Sequence, residues 1–154
     1  MPEAGPRRDP CFDAGMRRLL LPVLLILPAC VARPPARAPA TPPPMLLGEF
    51  SDDYGIGYRI DAAEWWQRPD ARYRVVAWHP EAQYLIARDD AGLWTRIDWM
   101  PLPGMPPYEW AFCLGAWGMK TQAAAERSDI ADRAAPKTGC NGFPFSRMRR
   151  APAG

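Results

Sequence analysis

The sequence predicts a mainly β domain over residues 45–150: an antiparallel meander of about six strands, curled or closed into a small barrel, followed by one short C-terminal helix. Three observations carry this. Turn-forming residues recur at intervals of about ten residues. The runs between them alternate apolar and polar side chains, as half-buried strands do. They are also rich in β-branched and aromatic residues, and all seven tryptophans fall between Trp65 and Trp117.

Taken in order, Leu46 to Phe50 and Gly57 to Trp66 supply the first two runs. Gln67-Arg68-Pro69-Asp70 reads as a type I turn leading into residues 72–78. His79-Pro80-Glu81 separates that run from residues 83–88. Asp89-Asp90-Ala91-Gly92 is a short hairpin loop ending in glycine. Beyond it, Leu93, Thr95, Ile97 and Trp99 share one face of a strand, and Trp94, Arg96, Asp98 and Met100 the other. A longer loop spans Pro101 to Pro107, and Tyr108, Trp110, Phe112 and Leu114 then form one apolar face of the last run. Thr121 is a fitting N-cap for a helix that Pro136 would stop. Phe143, Pro144 and Phe145 are placed to plug one end of the sheet, and Arg147, Arg149 and Arg150 read as a solvated tail, with residues 151–154 trailing beyond it.

The chain ahead of this domain has a different character. Arg17 and Arg18 precede an apolar run, Leu19 to Leu27, which ends in Leu27-Pro28-Ala29-Cys30. About nine apolar residues are too few for a spanning helix, which needs about 20. Positive charge, a short apolar core and a small residue before a cysteine resemble the signal peptide and lipobox of bacterial lipoproteins. The resemblance implies cleavage before Cys30, acylation of that cysteine and anchoring in a lipid bilayer. It also implies residence in the cell envelope, at the outer membrane facing the periplasm. Residues 1–29 are then the leader, and Met16, just ahead of the two arginines, reads as its start. Residues 30–44 comprise the lipidated cysteine and a linker in which six of the fourteen residues from Val31 to Pro44 are proline. Such a stretch favours an extended stalk, at about 3.1 Å per residue.

Charge follows the same division. The formal net charge is +2, but residues 1–44 hold six arginines against three acids, which leaves the domain at −1. The basic balance belongs to the leader and linker, and the domain lacks the basic face of a nucleic-acid binder.

The cysteines sort themselves once the leader is set aside. Cys11 goes with it and Cys30 takes the lipid, leaving Cys113 and Cys140. In an exported chain that pair reads as one disulfide. Free thiols or a metal pair are the other readings; the sole histidine and the absence of CxxC spacing count against metal.

The chemistry-bearing residues point to binding and away from catalysis. His79 stands alone, and none of Ser51, Ser128 and Ser146 sits in a GxSxG setting. Gly55-Ile56-Gly57 has no helix behind it to hold a phosphate. No cofactor is expected. Trp78, Trp94, Trp99 and Trp110 either line a ligand pocket or fill the core. Arg96 and Asp98 form either a surface pair or a polar floor inside the barrel. Leu47-Gly48-Glu49-Phe50 opening a β-meander resembles the G-x-W start of lipocalin-type calycin barrels, with phenylalanine in place of the tryptophan. The resemblance implies a small barrel and assigns no binding residue. The expected role is non-enzymatic binding of a small apolar or glycan ligand or of an envelope component, or structural assembly through a protein partner.

Overall fold

The computed structural model describes residues 40–152 except residue 129. The leader, Cys30 and the linker as far as Pro39 lie outside the described residues. Eight strands form a closed antiparallel barrel in sequential order. They are β1 (Gly48–Asp52), β2 (Gly57–Ile60), β3 (Glu64–Gln67), β4 (Ala71–His79), β5 (Tyr84–Asp89), β6 (Trp94–Pro101), β7 (Trp110–Met119) and β8 (Ser146–Arg150). One helix, α1 (Gln122–Arg127), lies between β7 and β8.

The barrel and the single short helix agree with the sequence expectation; the strand count of about six does not. Two strands were hidden for separate reasons. The run from Gly57 to Trp66 is a hairpin, because the Asp61 carboxylate accepts the Ala63 and Glu64 amides and folds the chain back on itself. The arginine-rich end is β8, which pairs with β1 through Phe50↔Arg150 and Asp52↔Met148 and with β7 through Trp110↔Met148. Three arginines suggest solvent, yet Met148 at their centre is fully buried and Arg147 and Arg149 point outward. Arg150 instead spreads over the Phe50 ring at 4.4 Å and donates to the Leu47 carbonyl, closing that end of the barrel. The Arg68–Pro69 peptide is cis, so the turn before β4 is not the type I turn read from the sequence. Gly92 behaves as expected: its φ of 79° suits the β5–β6 turn, where the Asp89 carboxylate accepts the Leu93 amide.

The barrel interior is filled. Phe50, Tyr58, Trp65, Trp110 and Phe112 interlock edge to face, with Trp65 and Phe112 centroids 5.1 Å apart and Phe50 and Trp110 5.2 Å apart. Ile60, Leu85, Ile97, Trp99 and Met148 complete the same core. One acid lies within it: Asp52 accepts the Tyr58 hydroxyl at 2.9 Å and the Tyr54 and Ile56 amides. Burial, reinforced by the Asp52 charge, raises the Tyr58 phenol above its ordinary value and keeps it a donor.

The outside of β5–β7 is covered as well, so β6 is buried on both faces from Thr95 to Trp99. The helix there ends at Arg127, well short of Pro136, because its contact face is thin: Ala125 is its one buried residue. From Ile130 the chain runs as a lobe held by the Cys113–Cys140 disulfide, as the sequence indicates. Phe145 does not plug the barrel end. It packs outside it, against Leu102, Ala111 and Cys113. Phe143 is exposed.

Candidate functional site

The residues singled out from the sequence separate into three environments. Trp78, Trp99 and Trp110 are core. Trp78 and Trp99 meet edge to face at 5.8 Å, Trp78 donates its indole N–H to the Ala62 carbonyl, and Trp110 is wholly buried. Trp94 lies outside the barrel beneath the Arg88 guanidinium.

Arg96 and Asp98 are neither a surface pair nor a polar floor inside the barrel. They point outward and are buried under the segment that follows β7. Arg96 donates Nε and Nη2 to the two Asp98 oxygens at 2.9 and 2.8 Å, and Nη1 to the Glu126 carbonyl at the end of α1. Arg133 adds a third donor to Asp98 at 3.0 Å and clips the lobe to the Gln83 and Trp99 carbonyls. Gly115 sits directly over this pair: a Cβ there would come within 2.8 Å of Asp98 Oδ2. The cluster is a structural clasp whose charges are satisfied within the protein.

Among the concavities of the described residues, two join large apolar side chains to charged ones, and neither lies in the barrel interior. A further cleft of about 400 Å³, between residues 40–42 and β4, has no charged side chain on its lining. The first of the two is the barrel mouth on the side of the β5–β6 turn, with a volume of about 350 Å³. Tyr73, Leu93, Leu114 and Trp117 form its walls, Asp89 its rim and Thr95 its floor. Two of these stand out. Thr95 is wholly buried, yet its hydroxyl has no hydrogen-bond partner. Trp117 is 59% exposed, the most exposed indole among the described tryptophans. Burial, with the Asp89 charge adding to it, raises the Tyr73 phenol above its usual value and holds it protonated. The adjoining surface adds Asp70, Asp90 and Arg72, so carboxylates outnumber cations there.

The second concavity is a groove of about 590 Å³ on the outside of the barrel. It is bounded by the β1–β2 turn, the β6–β7 loop and the disulfide lobe.

The sequence carried a partial signal for the mouth. Thr95 is the one polar residue on the face it shares with Leu93, Ile97 and Trp99, which marks it as an inward hydroxyl. Nothing local distinguished Trp117 from the six tryptophans before it. The groove depends on the path of the lobe and had no local signal.

His79 stacks on Tyr84 with centroids 4.3 Å apart, a packing contact. Among the described residues, no three His, Cys, Asp or Glu side chains are grouped to hold a metal ion. No helix among them is long and apolar enough to cross a membrane. Fold and site together define a small closed eight-stranded antiparallel barrel with an aromatic-filled interior, a shallow mouth and a groove on its outside. No family model, curated protein or solved structure matches the chain.

Proposed function

We propose that this chain is a lipid-anchored protein of the cell envelope that binds a small hydroxylated ligand of the glycan class at the barrel mouth and does not transform it. The anchor is the acylated Cys30, in the outer membrane facing the periplasm, with the proline-rich linker as a stalk. The support for the address is Arg17-Arg18, the short apolar run and Ala29-Cys30 followed at once by that linker.

The observation that carries the binding reading is the Thr95 hydroxyl, buried without a partner at the floor of a concavity walled in part by an exposed tryptophan. A buried hydroxyl left unpaired is costly, by about 1–3 kcal/mol, and a ligand oxygen reaching the floor removes that cost. An indole face suits the C–H face of a sugar ring, while Asp89 and the protonated Tyr73 suit its hydroxyls. The mouth falls within the usual size range of small-molecule sites, at the low end.

Native mass spectrometry of the protein taken from its own envelope, looking for a retained small molecule, tests this. The expected result is a retained hydroxylated species that Trp117→Ala and Thr95→Val each lose. A species kept by both variants, or a wild type that neither retains one nor binds saccharides added back in excess, would sink the proposal.

A further inference from the structure

The outer groove has a chemistry of its own. Its floor is apolar: Leu102, Ala111 and Phe145 line it, and the latter two are almost wholly buried. Tyr54 and Met105, 70% and 43% exposed, stand on its rim. Large apolar side chains left in water beside a ready-made cavity mark a site for an apolar ligand body.

Its charge gives the head group. The lining holds two cations, Lys137 and Arg147, against one carboxylate, Asp53. Asp53 is already used: it accepts Arg147 Nε at 2.9 Å and the Arg147 amide. Arg147 is further held over the Tyr108 ring at 4.6 Å. Lys137 has no ion pair among the described residues, so one ammonium on the lining is uncompensated. The barrel mouth has the opposite sign, since Asp89 lies on its lining and Asp70 and Asp90 beside it. An anionic amphiphile is therefore repelled from the mouth and matched by the groove.

We propose that this groove is a second binding site, distinct from the mouth, for a single-chain amphiphile with an anionic head: the alkyl chain lies along Leu102, Met105 and Phe145, and the head pairs with Lys137. The disulfide and the Arg133 clip hold the lobe that forms one wall, so the site exists before ligand arrives. The proposal does not depend on what the mouth binds.

The test uses the full-length Cys30→Ser chain, so that no covalent lipid competes. Dodecanoate and dodecylammonium are titrated below their micellar concentrations by isothermal calorimetry. Dodecanoate is expected to saturate one site and dodecylammonium to bind at least ten-fold more weakly. Lys137→Glu should cost dodecanoate ten-fold or more and narrow or reverse that preference. Met105→Asp should abolish binding of the dodecanoate chain. Both residues are exposed, so the fold tolerates these changes. Trp117→Ala and Thr95→Val, which alter the mouth, should leave dodecanoate binding unchanged. Non-saturable binding, equal binding of both head groups, or insensitivity to Lys137→Glu and Met105→Asp overturns the proposal. Loss of dodecanoate in Trp117→Ala overturns it too, by placing the chain in the mouth.

Discussion

Replacing Asp98 by alanine tests the clasp that holds the lobe onto the barrel. The wild-type carboxylate is fully buried and accepts three guanidinium bonds, two from Arg96 and one from Arg133. Removing it takes from Arg96, 5% exposed, both bonds it makes to that carboxylate and leaves it its other contacts, the Glu126 carbonyl among them, while Arg133, with about a quarter of its side chain exposed, can turn to solvent. Breaking a buried ion pair by deleting one partner costs about 3–5 kcal/mol, because the survivor stays buried and charged. For a domain of this size that is a large fraction of total stability, which runs at about 5–15 kcal/mol. With a urea slope of about 1–3 kcal/mol per molar, the unfolding midpoint should fall by about 1–5 M.

The double variant Arg96→Met, Asp98→Leu separates charge from packing. It removes both charges at similar volume, and such replacements are often neutral or stabilising. The double variant should therefore recover most of what the single one loses. The assay is equilibrium urea unfolding followed by tryptophan fluorescence. A single variant within about 1 kcal/mol of wild type would refute the reasoning, since it would mean that solvent or the other contacts of Arg96 stand in for the carboxylate at little cost. A double variant no better than the single would refute the electrostatic account and leave shape as the cause.

Three further outcomes follow from the same structure. Stability should fall above about pH 10, because unfolded tyrosines ionise near there while burial and Asp52 hold Tyr58 neutral in the barrel; its contribution is intact below that pH, and Tyr58→Phe should flatten the alkaline limb. A urea midpoint unchanged to pH 11 would contradict this. Replacing Cys113 and Cys140 by alanine opens a crosslink spanning 27 residues and should cost about 3–4 kcal/mol; hydrogen exchange should rise first in the lobe, around residues 131–145, and not in β1–β4. Cys30→Ser should move the protein from the membrane fraction to the soluble periplasm, and unchanged fractionation would count against the proposed anchor.

How far the sequence carried the fold depends on where the information lies. Alternation in β6 and β7 was readable because the inner face of each strand is apolar, save for Thr95 in β6, and that face supplies much of the core. The β2–β3 hairpin was not, because Asp61-Ala62-Ala63 has no Gly or Pro to punctuate it and the turn is made by one carboxylate. β8 was masked by outward arginines, although Met148 between Arg147 and Arg149 is the alternating residue that marks a strand. For the sites the limit is different in kind. Strand parity places Arg96 and Asp98 together on one face but does not say what covers that face. Their burial is set by α1 and Arg133, which lie 30 and 35 residues away. The Cys113–Cys140 link was legible because assigning Cys11 to the expected leader and Cys30 to the expected lipid left a single pair.

The filled interior also bears on how a protein of this kind achieves useful binding. With Trp65, Trp110 and Phe112 closing the centre, a ligand at the mouth meets a floor at Thr95 and keeps much of its surface in water. A concavity of about 350 Å³ offers few contacts, so the affinity of the mouth alone is modest. A deep barrel cavity would solve this by burial. Here the proposed lipid anchor offers another route. Confining the protein to the membrane surface makes encounters with surface-bound ligands effectively intramolecular, at millimolar effective concentration for short tethers. The stalk between Cys30 and the barrel sets that reach. On this account, lengthening the linker should weaken capture of a surface-bound ligand without changing the affinity of the soluble domain for the same ligand free in solution. If both change together, the linker acts on the fold and tethering is not the cause.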